Sequence, residues 1–260
     1  MKRMRFTAQE LYVMAVAAGK QRMYGVPNGF EWVPEEEYQA VRQQVVDTLL
    51  DDDVLTMDFD GKLSLSSAYE ELVNALCECG KCLTVNRQRA DGSYEDLIFL
   101  QYGDLLLRAE VTETDYLFRE TSNLEAEADL QQETWSAASG KGSQTVIPQL
   151  ALTKAKRRLK ENGEEEALRL LRQNGADDRI AAVLLDGLEE KAQYLRLLLM
   201  DMSSGTCSKT ERAWLNSRGI LLALSSAVVS FRTCTVFAEV DAADVAGELQ
   251  ELTGAFFKRQ

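Results

Sequence analysis

The 260-residue chain has no histidine and carries 29 Lys+Arg against 42 Asp+Glu, a formal net charge of −13. Without an imidazole, serine–histidine and cysteine–histidine hydrolysis, His-ligated zinc catalysis, imidazole proton shuttling and His-driven pH switching are all excluded. The length suits one large domain or two smaller ones, each able to bury a core without cross-links.

Met1-Lys2-Arg3-Met4-Arg5 has the basic character of a signal-peptide start, but Gln9 and Glu10 interrupt the apolar run that should follow. No apolar stretch approaches the roughly 20 residues needed to span a bilayer. Five cysteines are an odd number in a chain of a size that needs no disulfides, so a reducing, cytoplasmic location is expected. The charge is unevenly placed: residues 1–140 hold 12 Lys+Arg and 26 Asp+Glu, whereas residues 141–260 hold 17 and 16. An acidic surface repels phosphate backbones, which disfavours nucleic acid as a partner of the first half.

In chain order, Thr7-Ala8-Gln9-Glu10 is a capping box that starts a helix with Leu11, Met14, Ala15 and Ala18 on its apolar side, ended by Gly19. Tyr24 to Val33 reads as a loop punctuated by Gly25, Pro27, Asn28 and Gly29. Pro34 and Glu35-Glu36-Glu37 open a second helix, with the carboxylates at the positive end of its dipole. Asp60-Gly61 between two short β-prone runs predicts a hairpin with a type I′ turn. Ser66 or Ser67 caps a helix ending near Gly80. Helix, helix, hairpin, helix is the order of a winged-helix-like module over residues 1–81. Strands follow at 83–89, 94–101, 105–111 and 116–120, and Asn123 caps an acidic helix within a first-half segment of 82–135. Trp135 to Gln144 is rich in Ser, Gly and Ala and reads as the linker.

The second half, 141–260, predicts helices over 150–160, 164–173 and 177–190, separated by Asn162-Gly163 and Asn174-Gly175. Strands are predicted at 193–202, 209–216, 220–225 and 229–240, with the last turn near Ser226. Asp241 then caps a terminal helix within the segment 193–258. Both halves thus share one order: helices, an antiparallel four-stranded meander, a helix. The expectation is an α+β protein of two pseudo-repeated halves, the repeat being one of architecture and not of residues.

Several clusters invite a chemical reading. Cys77, Cys79 and Cys82 offer three thiols in six residues, but residues 77 and 79 lie about 200° apart on a helix, so the expectation is no metal and no other cofactor. Gly140-Lys141-Gly142-Ser143 lacks the full spacing of a phosphate loop and reads as a connector. Lys154, Lys156, Arg157, Arg158 and Lys160 form the densest basic run, a contact for RNA, DNA or an acidic partner, or else a solvated helix face or one docked against the acidic first half. Glu35 to Glu37 and Glu164 to Glu166 are explained by helix dipoles, and Asp51 to Asp53 by a solvated turn. No spacing selects a pair of catalytic carboxylates, so the chain is not expected to be an enzyme.

Phe6-Thr7-Ala8-Gln9-Glu10-Leu11, the Tyr24-Gly25-Val26-Pro27 loop, and a two-half layout that closes on Val228-Val229-Ser230-Phe231 and a terminal helix resemble the EspG-like proteins of type VII secretion. That resemblance implies a pseudo-two-fold α+β fold and a cytoplasmic, non-enzymatic protein. It also implies a protein that binds secreted helical-hairpin substrates and keeps them soluble. It carries over no functional residue. On the residues themselves, Trp135, Val146 and Ile147 flank the linker and are candidates for partner binding, or for closing the junction between halves. The expected partner is a helical secreted protein, with the chain monomeric or homodimeric and not inserted in a membrane. A winged-helix transcriptional regulator is the alternative, although the second helix offers only Arg42 to a DNA groove.

Overall fold

The structure is a computed structural model that describes residues 4–131, 135 and 143–257. In chain order its elements are β1 (Arg5–Thr7), α1 (Ala8–Ala17), α2 (Glu35–Asp51), β2 (Leu55–Met57), β3 (Leu63–Leu65), a 3-10 turn (Ser67–Tyr69), α3 (Glu70–Glu78), β4 (Lys81–Gln88), β5 (Tyr94–Tyr102), β6 (Leu105–Val111), β7 (Asp115–Glu120) and α4 (Asn123–Gln131). There follow β8 (Gln144–Pro148), α5 (Gln149–Asn162), α6 (Glu164–Gln173), α7 (Asp178–Leu188), β9 (Gln193–Asp201), β10 (Ser208–Ser217), β11 (Ile220–Val229), β12 (Arg232–Glu239) and α8 (Ala242–Phe257). This is an α+β fold with a large antiparallel sheet.

The strands are ordered β1-β7-β6-β5-β4-β9-β10-β11-β12-β8. The architectural repeat is visible in this order. β1 precedes the first helices and pairs with β7, the last strand of its meander; β8 precedes α5 and pairs with β12, the last strand of the other. Neither β1 nor β8 was expected from the sequence. Three and five residues are too short for periodicity to register, and their strand state is fixed by the neighbour they bond to. Val146 and Ile147, expected beside a loop, are therefore strand residues. Gly140 to Gly142 and most of the expected linker lie outside the described residues.

Two compact units are formed, and each draws chain from both halves. The first comprises residues 1–84, 96–126 and 199–209. Its core holds Phe6, Leu11, Met14, Leu49, Leu72, Leu76, Leu100 and Phe118, with Met200 and Met202 packed against it. Burying each such side chain contributes about 1.5–3 kcal/mol. The capping box is present: the Glu10 amide donates to Thr7 Oγ1 at 3.1 Å and the Thr7 amide to Glu10 Oε2 at 2.7 Å. Gly29 lies so close to α1 that a Cβ there would sit 2.4 Å from the Gln9 backbone nitrogen. That contact holds the loop down and lets Phe30 reach between Tyr12 and Tyr38.

The β2–β3 connection differs from the expected two-residue turn. Asp58 to Lys62 form a five-residue loop between strands paired at Met57 and Leu63, and in it Gly61 has positive φ while Asp60 does not. The reason is local. Asp58 Oδ1 accepts from the amides of Asp60 and Lys62, a side-chain alternative to the type I′ backbone. Likewise the cap of α4 is Ser122, whose Oγ accepts from the Glu125 amide, one residue before the expected Asn123.

The second unit comprises residues 85–95, 127–198 and 210–260. Ile147, Ala155, Leu171, Ile180, Leu184, Leu215, Leu222 and Phe237 form its core cluster. α5 and α6 are joined through Gly163 at φ 86°. Asp177 caps α7 by accepting from the Ile180 amide at 2.8 Å. No described helix is long and apolar enough to cross a membrane.

Candidate functional site

The connection between β11 and β12 is where the backbone departs furthest from what its residues prefer. Val229 pairs with Arg232, so Ser230 and Phe231 alone make the turn. Both have positive φ, 49° and 62°. This two-residue geometry selects Asn-Gly, and a phenylalanine there costs on the order of 1 kcal/mol. No packing offsets the cost, because Phe231 is fully exposed at 103%, Val228 is 76% exposed and Val229 46%. The turn lies four residues beyond the expected one near Ser226. Val228 to Phe231 were legible as a motif, but with no Gly, Asn, Asp or Pro nothing marked them as a tip.

Register brings a further apolar residue to the same end of this unit. Cys234, two residues after Arg232, lies opposite Pro148 at the end of β8. α5 begins at the next residue, so Leu150, 65% exposed, emerges at the turn end of β12. Leu150, Val228, Val229 and Phe231 thus gather at one end of the second unit. Scattered single apolar residues are ordinary on a surface, whereas a group of large ones marks contact with another molecule.

Of the three residues singled out from sequence, Val146 is exposed on β8 and Ile147 is fully buried, packed in the cluster of Leu171, Ile180 and Phe237. Alternation along β8 sends them to opposite faces, so Ile147 serves the core. Trp135 is half-buried, and its Nε1 is buried with no hydrogen-bond partner among the described residues. The three are not assembled into one surface.

The cysteine cluster lies at the end of α3. Cys79 and Cys82 are buried and Cys77 half-buried, all free thiols. Burial pushes the Cys77 thiol up to about 11 and that of Cys79 to about 12, and Cys82 is raised further. They are thiols and not thiolates at neutral pH, unsuited to nucleophilic attack. Among the described residues no group of three or more Cys, Asp or Glu is placed to hold a metal ion. The expected helix-start carboxylates do open α2 and α6.

The basic run lies on α5. Leu152, Thr153, Lys156, Arg157 and Lys160, with Leu188 at the end of α7, line a shallow recess of about 500 Å³. Leu152 and Leu188 are half-buried against the core and form its floor, while the three cations are exposed at its rim. Two further recesses flank α1 in the first unit. They share Tyr12, Val16 and Gly19; the first is also lined by Lys20 and Arg22, the second by Arg42 and Lys62, and neither has an acidic residue among the described residues of its lining.

No known family model matches this chain, and no curated protein matches it. Among solved structures, it is similar to the type VII secretion system chaperone EspG5 of Mycobacterium tuberculosis, determined in complex with the PE25-PPE41 dimer. The similarity covers 96% of this chain and 95% of that one, with a TM-score of 0.51 and 9% sequence identity. At that identity the likeness is one of fold.

Proposed function

We propose that this chain is a cytoplasmic protein-binding chaperone or adaptor whose clients are helical proteins bound for a type VII-like secretion route. The observation that carries the reading is the correspondence of fold, along nearly the whole chain, with a chaperone solved with its PE–PPE dimer bound. The apolar end of the second unit supports it. A chaperone of this kind needs a surface that covers an apolar patch of its client, and Leu150, Val228 and Phe231 offer one, with Val229 at the same turn but on the other face of the strand. Fully desolvated aromatic anchors of this type dominate the energy of an interface. In this reading the chain carries out no chemistry of its own.

The test is co-expression with the small helical secreted proteins encoded beside its gene, followed by size-exclusion chromatography. A stable complex is expected with one of them. Phe231→Ser combined with Val228→Ser should abolish it, with the melting temperature of the free chain unchanged. Failure of every candidate to co-elute, or undiminished complex formation by the double variant, overturns the proposal.

A further inference from the structure

We propose that the recess between α5 and the end of α7 is a second docking site, and that its occupant is an acidic segment of a partner protein. Such a segment would carry one leucine-sized anchor flanked by carboxylates. The recess supplies both halves of that recognition. Its floor of Leu152 and Leu188 accepts an apolar side chain, and Lys156, Arg157 and Lys160 stand around it. Leu150 and Leu152 are about 200° apart around α5. Thr153, Arg157 and Lys160, however, lie on Leu150's own side of α5, about 60°, 20° and 80° from it. The recess thus continues along the same helix one to three turns after Leu150 and is told apart from the client surface by separate variants of each.

The cations of the recess are the loosely held ones. Lys156 Nζ is 3.9 Å from Glu190 Oε1, and Arg157 Nε is 3.8 Å from Glu161 Oε1. Elsewhere in the same unit Arg172–Asp178, Arg169–Glu166 and Arg196–Glu211 close to 2.6–2.7 Å. Exposed pairs near the 4 Å limit contribute little, so an incoming carboxylate exchanges with them at small cost. It can then form shorter, charge-assisted bonds beside an apolar contact that excludes water. A nucleic acid fits less well. Among the described residues no aromatic side chain lines the recess to stack a base.

The full chain can be titrated, by fluorescence anisotropy, into a labelled synthetic peptide in which glutamates and aspartates alternate with leucines. Parallel titrations use the same peptide with lysines replacing the acids, and a labelled single-stranded oligonucleotide. The acidic peptide should bind with a Kd on the order of 10 µM at low salt. Affinity should weaken about tenfold or more in Lys156→Glu/Lys160→Glu, and with rising salt. Phe231→Ser, which probes the client surface, should leave it unchanged. Matching circular dichroism and melting temperatures exclude misfolding as the cause. Equal binding by the charge-reversed variant, equal binding of the basic peptide, or preference for the oligonucleotide overturns the proposal.

Discussion

Arg218 and Phe231 both occupy left-handed backbone in two-residue hairpin turns, at φ 53° and 62°, yet their surroundings differ. Arg218 is followed by Gly219, also at positive φ, and its guanidinium meets Asp186 of α7 twice, at 2.7 and 2.8 Å. Ser217 Oγ is a third donor to the same carboxylate. The Arg218 hydrogen bonds hold the Asp186 carboxyl below its ordinary value against the opposing effect of burial. A depressed carboxyl contributes stability that is fully present above its unfolded pKa, about 3.9, and is lost as pH falls through the folded value. Asp186→Asn should therefore destabilise the chain at neutral pH by about 2 kcal/mol, the range for hydrogen bonds to a charged group. Urea denaturation from about pH 7 to pH 3 should show the gap between wild type and variant closing with acid. A gap independent of pH would mean that the ion pair does not stabilise the fold.

At the scale of the element, the β11–β12 hairpin keeps a strained tip where an unstrained one is readily available. Replacing Ser230-Phe231 with Asn-Gly fits the same backbone and should raise stability by about 1 kcal/mol, measured by thermal melts, while abolishing capture of the helical client. Loss of client without a gain in stability would show that the tip is not strained. The same hairpin explains why part of the fold was legible in the sequence and part was not. α6 spans Glu164–Gln173 as read, because Asn162-Gly163 and Asn174-Gly175 bracket it with residues that tolerate positive φ. β11 and β12 have no such mark between them, so the sequence points to a break near polar Ser226, in what is the middle of a strand pair. The candidate surface suffers from the same gap. Leu150 and Val228 have ordinary helix and strand identities, and their exposure follows from the register of β8 against β12, which no local pattern encodes. The alternation of β8 was equally hidden, so Val146 and Ile147 were read together although they face opposite ways.

On the scale of the whole molecule, the repeat of architecture does not make each half self-sufficient. The first unit takes residues 199–209 from the second half, and the second unit takes residues 85–95 from the first. Within the first unit the Met202 amide donates to the Gly80 carbonyl at 2.8 Å, and Met200 and Met202 pack against the core. Within the second unit Arg87, almost fully buried, pairs with Glu95 and donates to the Asp129 carbonyl. A fragment of residues 1–142 would lose the two methionines and their strand segment. Its charge adds to the problem, since residues 1–140 carry 26 acidic against 12 basic side chains and repel themselves when compact. The fragment should therefore show no cooperative thermal transition and should bind a hydrophobic dye. Adding residues 143–260 in trans should restore a single transition by supplying the missing segment. A cooperative melt of the isolated fragment would show instead that the exchanged segments are dispensable and that the halves fold as separate domains.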